Sequence, residues 1–84
     1  MEITAAFDTL VATISRCAGK RLLEASLDQQ SFGNFVISYD EAGTRWVITN
    51  DRGFVTLESD RGIELQGAWL RDLDEQALLQ KLKL

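Results

Sequence analysis

The chain contains no histidine and no proline, and it has a single cysteine, Cys17. Without histidine there is no Ser-His-Asp or Cys-His arrangement, and the commonest general base and zinc ligand is missing. A single cysteine rules out an intrachain disulfide, a multi-cysteine zinc site and iron–sulfur ligation. Cations are also few. Nine Lys and Arg stand against thirteen Asp and Glu, a formal charge of −4, and the sequence pI is about 4.6. Binding to nucleic acid needs clustered cations that release counterions from phosphates. Here they are scattered, apart from Lys20-Arg21 and the Lys81/Lys83 pair. The balance argues against nucleic acid; an acidic surface matches a basic protein partner, and it is also, as the more ordinary reading, a way to stay soluble. No apolar run approaches the roughly 20 residues a membrane span needs, and Met1–Leu10 has no basic leader. The expectation is a cytoplasmic protein with a reduced thiol and no membrane attachment.

What is present suits one domain, residues 1–84, with one modest core. Ile3, Phe7, Leu10, Ile14 and Cys17 recur at helical spacing, widened by Ala6, Val11 and Ala18. The spacing predicts an amphipathic helix over 3–18, capped by Thr4 and ended by a left-handed Gly19. Residues 21–27 read as a helix extension or as a half-buried strand, since Leu23, Ala25 and Leu27 alternate with Glu24 and Ser26. Gly19 as a stop favours the strand. Asp28-Gln29-Gln30-Ser31 reads as a loop. Three alternating segments follow, at Phe35–Tyr39, Trp46–Thr49 and Phe54–Glu58, rich in β-branched and aromatic residues. Asp40-Glu41-Ala42-Gly43 and Asn50-Asp51-Arg52-Gly53 are short polar turns ending in glycine, the form of a bulged hairpin. Asp60-Arg61-Gly62 leads into a short last strand, Ile63-Glu64-Leu65. Asp72 and Glu75 have capping-box spacing for a closing helix with Leu78, Leu79 and Leu82 inward. The expected fold is α+β: an N-terminal helix, an antiparallel meander of three to four strands, and a C-terminal helix. If both helices lie on one face of the sheet, the other, with Val36, Val47 and Phe54 or their alternates, stays partly apolar and open to a partner.

No phosphate-cradling glycine loop, EF-hand spacing or nucleophile–base pair is present. The carboxylate pairs Asp40-Glu41 and Asp72/Asp74 fall in a turn and at a helix start, where acids are favoured for structural reasons. Cys17 lies on the apolar helix face and reads as a structural thiol. Ser31 and Thr49 have no base beside them. Catalysis is therefore not expected, and neither is a cofactor or a metal. Arg52 reads as solvated or paired with Asp51, Glu58 or Asp60, or as a guanidinium that grips a partner carboxylate. Trp46 is expected in the middle of the sheet and Trp69 beneath the last helix. Between residues 40 and 64 six acids face three arginines. That makes Asp40, Glu41, Asp51, Arg52, Asp60 and Glu64 the candidate partner-binding residues.

The order Phe32-Gly33-Asn34, two alternating strands, Asp51-Arg52-Gly53, Trp69, Asp72-Leu73 and Ala77-Leu78-Leu79 resembles a group of small bacterial proteins. Some of these are similar in size and pattern to toxin-immunity proteins. The resemblance spans residues 20–80, with Asn50 where the pattern has a basic residue before Asp51. It implies an α+β fold and protein binding, and no activity or cofactor. Two functional expectations follow. One is an acidic, immunity-like module that neutralises a basic partner. The other is a homodimeric structural or regulatory subunit without catalytic activity.

Overall fold

The structure, a computed structural model, describes residues 1–30, 32–62 and 64–84, and all of their side chains except those of 64–66. Ser31 and Ile63, expected in a loop and in the last strand, lie outside the described residues. The chain runs α1 (Ile3–Arg16), β1 (Arg21–Asp28), β2 (Asn34–Glu41), β3 (Thr44–Asp51), β4 (Phe54–Ser59), β5 (Glu64–Trp69), a 3-10 turn (Leu70–Asp72) and α2 (Glu75–Lys81). The strands pair antiparallel in chain order, giving a five-stranded meander. The fold is α+β with a helix at each end of the sheet sequence, as the periodicity predicts. Five strands form rather than three or four. Residues 21–28 pair along nearly their whole length with β2, and β5 continues to Trp69 rather than ending at Leu65.

α1 forms because Ala6, Leu10 and Ile14 recur every fourth residue and are fully buried. Phe7 packs edge-on against Phe35 of β2, with ring centroids 5.4 Å apart. The helix starts and stops differently from the expectation. Glu2, not Thr4, stands at the N-cap and makes no side-chain capping bond. At the other end Cys17 is already extended, and the Lys20 N–H bonds the Cys17 carbonyl at 3.1 Å. This four-residue turn reverses the chain, so Gly19 has no need of the left-handed region and is not in it.

The two central hairpins are tighter than bulged loops. Glu41 pairs with Thr44 and Asp51 with Phe54, leaving only two residues in each turn. Both residues of each have positive φ: Ala42 (51°) and Gly43 (85°), Arg52 (55°) and Gly53 (94°). That is the type I′ geometry, whose twist matches the strands it joins. The irregular registers lie instead at Leu22/Glu24, between β1 and β2, and at Val55/Leu57, between β4 and β5.

Alternation then sorts the side chains. Phe35, Ile37 and Tyr39 share one face with Trp46, Ile48 and Asn50 of β3 and with Val55 and Leu57 of β4. Onto this face pack Ala6, Leu10 and Ile14 of α1, Leu70, and Leu78 and Leu82 from the C-terminal segment. Both helices therefore cover the same face. α2 begins two residues later than capping-box spacing suggested. Asp72 closes the 3-10 turn, and Asp74 is the N-cap, accepting the Ala77 N–H at 2.8 Å. Leu70 fills a core position ahead of the helix, and Leu78 and Leu82, four residues apart on one helix face, are buried behind it.

Candidate functional site

The opposite face of the sheet carries no helix. Across it Arg21, Asp40 and Arg45 form one row, and Glu24, Ser38, Val47 and Glu58 the next. Ser26, Val36, Thr49 and Thr56 form a third. At the far end lie Asp28 opposite Asn34, and Asp51, Phe54 and Trp69 in register with one another. Among the residues whose side chains are described, five carboxylates, Glu24, Asp28, Asp40, Asp51 and Glu58, thus share this face with two guanidiniums, Arg21 and Arg45. The middle is less polar: Val47 is half-buried and Val36 partly exposed. Ser38 is buried there, and its hydroxyl has no hydrogen-bond partner among the described residues. A shallow depression of about 440 Å3 opens between Ser26, Asp28, Asn34, Val36, Thr49 and Asp51.

The six residues singled out from the sequence do not form one cluster. Asp40 is half-buried on the helix-free face, opposite Arg45. Its neighbour Glu41 points the other way and accepts a 2.7 Å salt bridge from Lys20 Nζ. Asp60 is exposed in the β4–β5 turn, where its N–H bonds the Arg45 carbonyl at 3.0 Å. Glu64 stands in register with Glu58, and its side chain lies outside the described residues. Asp51 and Arg52 are at the opposite end of β3, roughly 20 Å from Arg45 by strand rise.

Arg52 is held by its backbone. Its N–H donates to Asn34 Oδ1 at 2.8 Å, and its guanidinium lies over the Phe32 ring, 4.7 Å from the centroid. Two structural expectations bear on it, solvated or paired with Asp51, Glu58 or Asp60; the residue is exposed, and no ion pair to it is present among the described residues. Asn50 organises the same end. It is 1% exposed, donates from Nδ2 to the Gly33 carbonyl at 3.1 Å and accepts the Gly53 N–H on Oδ1 at 3.0 Å. One side chain thus joins the β1–β2 loop to the β3–β4 turn.

Trp69 does not pack under α2. β5 runs through it, so alternation turns Ala68 toward Val55 and the core and Trp69 toward Phe54 on the helix-free face. The two rings meet edge-on at 4.9 Å, and the Arg71 guanidinium lies 4.9 Å from the Trp69 centroid. Trp46 is in the central strand and half-buried, as expected. Alternation had placed Phe54 with Val36 and Val47 on this face; Phe32, Trp69 and Arg71 had no signal in local periodicity, because only the register of β4 and β5 and the shape of the β1–β2 loop bring them to the surface. Glu24 and Glu58 were readable in principle, since both sit at positions that alternate away from core residues.

A second recess, about 110 Å3, lies on the helix side between Lys20, Tyr39, Glu41, Trp46 and Leu82. The hydrogen bond that Lys20 donates to Glu41 raises the Lys20 pKa above its ordinary 10.5, with burial opposing it. Burial raises that of Tyr39 above its ordinary 10.0. The recess is well below the roughly 300 Å3 at which ligand clefts begin. Cys17 is half-buried beside it, with Lys20 Nζ 3.8 Å from its sulfur. Among the described residues no three His, Cys, Asp or Glu side chains are grouped to hold a metal ion, and no helix is long and apolar enough to cross a membrane. Compared with family models, with curated proteins and with solved structures, the chain matches none.

Proposed function

We propose that this protein is an acidic protein-binding module that neutralises a basic protein partner, in the manner of the immunity proteins its sequence resembles, and that the partner docks on the helix-free face of the sheet. The charge of that face carries the reading: five carboxylates against two guanidiniums, arranged around a less polar middle at Val36, Val47, Thr49 and Thr56. A weakly polar centre inside a charged rim is the usual anatomy of a protein interface. Acids spread over the rim steer a cationic partner and set its orientation. The same charge disfavours self-association through this face, because two copies would bring ten carboxylates together against four guanidiniums.

Retention of a partner from extracts of the native host tests the reading. The parent chain should hold one basic protein at about 0.05 M salt and release it at about 0.5 M, where screening is within a few Å. The double reversal E24K/E58K should fail to hold it at either salt. Equal retention by that variant, or none by the parent, refutes the acidic-face reading. Light scattering of the 9.4 kDa chain at micromolar concentration addresses the homodimer directly, since twice that mass would favour it.

A further inference from the structure

The geometry points to a second binding site, in the groove between the start of α1, the β3–β4 turn and the 3-10 turn, which we propose takes a peptide segment bearing a carboxylate beside an apolar side chain. The groove measures about 250 Å3, and Ile3, Arg52, Trp69, Leu70 and Arg71 line it with Glu2. Met1 also lines it, its ammonium donating to the Leu70 and Leu73 carbonyls, and the two guanidiniums are held in the same way as each other. Arg52 lies over Phe32 and Arg71 over Trp69, at 4.7 and 4.9 Å from the ring centroids. Stacking engages the face of a guanidinium and leaves its N–H edge free for a carboxylate, which Arg can grip with two parallel hydrogen bonds. Neither arginine is ion-paired among the described residues, whereas Lys20 is.

The supporting rings are themselves at the surface: Phe32 is 68% exposed and Trp69 41%. A segment laid across them would bury aromatic area together with two arginines, the residue types that dominate interface energetics. Arg52 is also fixed at its backbone by the Asn34 contact, so less freedom is lost on binding.

Charge selects the occupant. Glu2 lines the groove, and Asp51 and Asp72 adjoin the two arginines in the chain. A polyanion such as nucleic acid would meet all three and a chain of formal charge −4. A single carboxylate meets either guanidinium with far less repulsion. Ile3 and Trp69 supply an apolar wall that suits an aliphatic side chain next to the acid. This site takes a ligand of the opposite sign to the partner proposed for the sheet face, and it stands or falls without that reading.

The test is an amide chemical-shift titration of the full chain with acetyl-Leu-Asp-Leu-amide, its Leu-Asn-Leu counterpart, and inorganic phosphate. The acidic peptide should shift the amides of Ile3, Gly53 and Leu70 and the Trp69 indole N–H, and the neutral peptide should leave them in place. The double variant R52N/R71Q should weaken binding about tenfold or more; asparagine suits the left-handed turn position. Should that variant lose its native spectrum, R71Q alone decides, with a loss of several-fold expected. The proposal is overturned if the neutral peptide binds equally, if phosphate binds as tightly as the acidic peptide, if the arginine variants bind as the parent does, or if nothing shifts.

Discussion

Replacing Asn50 tests how one end of the sheet is held. The side chain is buried on the core face of β3, and its two hydrogen bonds run to Gly33 in one loop and Gly53 in another. Asn50→Ala removes both and leaves a carbonyl and an N–H without their partner. A hydrogen bond contributes about 1 kcal/mol net, and an orphaned buried polar group costs about 1–3 kcal/mol. Gly33 and Gly53 are only half-buried, so water recovers part of the loss, and about 2–3 kcal/mol in total is expected. In a domain of this size that lowers Tm by roughly 8–24 °C. Urea unfolding followed by circular dichroism should give a lower midpoint at an unchanged slope. Hydrogen exchange at the Gly53 amide should accelerate as well. Asn50→Asp keeps the acceptor for Gly53 but sets a carboxylate against the Gly33 carbonyl. It should be at least as damaging at neutral pH and recover on acidification, when a protonated carboxyl donates again. If Asn50→Ala stays within about 0.5 kcal/mol of the parent, the size of a neutral surface change, this side chain does not tie the two loops together.

Stability should also fall on the alkaline side. The folded-state values of Lys20 and Tyr39 both lie above their ordinary 10.5 and 10.0, through the Glu41 hydrogen bond and through burial respectively. A group raised in this way contributes fully below its unfolded value, and the contribution is lost as pH rises through the folded one. Stability attributable to these two groups should therefore hold to about pH 10 and decline above it, with Glu41→Gln and Tyr39→Phe each removing part of the decline. Tyr39 is the one tyrosine in the chain, so tyrosinate absorbance reads it alone, and a midpoint at or below 10.0 contradicts the burial argument. Gly67→Ala should destabilise by about 1–3 kcal/mol, the scale of overpacking, because the new Cβ would overlap the Phe54 ring and approach the Val55 carbonyl oxygen to 2.9 Å. Truncating the ring with Phe54→Ala in the same chain should lower the added cost of the alanine. Additive costs in thermal melts would mean that the ring is not the obstacle.

Local pattern made much of the architecture legible. The 3,4 spacing in α1 and the alternation in β2, β3 and β4 needed only neighbouring residues, and those elements formed where the pattern lay. Boundaries depended on more. α1 ends at Arg16, where the next turn is closed by Lys20 and Cys17, and α2 starts after Asp74, which caps it, behind a 3-10 turn that puts Leu70 in the core. Neither fact is visible from propensity.

The candidate surface shows the same division. The sequence by itself determined that the protein is acidic, that no histidine can serve it, and that its strands have one apolar face and one mixed face. Alternation alone turns Glu24 and Glu58 away from the core, but which other acids join them on one surface was decided by tertiary structure. The two-residue turns set the register, and a shift of one residue would have exchanged the faces. As folded, Asp40 joins Glu24 and Glu58 on the open side, while Glu41 turns inward to Lys20. Trp69 comes to the surface by the same rule. Its partner in register is Phe54, and a side chain follows the face of its partner across the strand, not the hydrophobicity that would have sent it to the core.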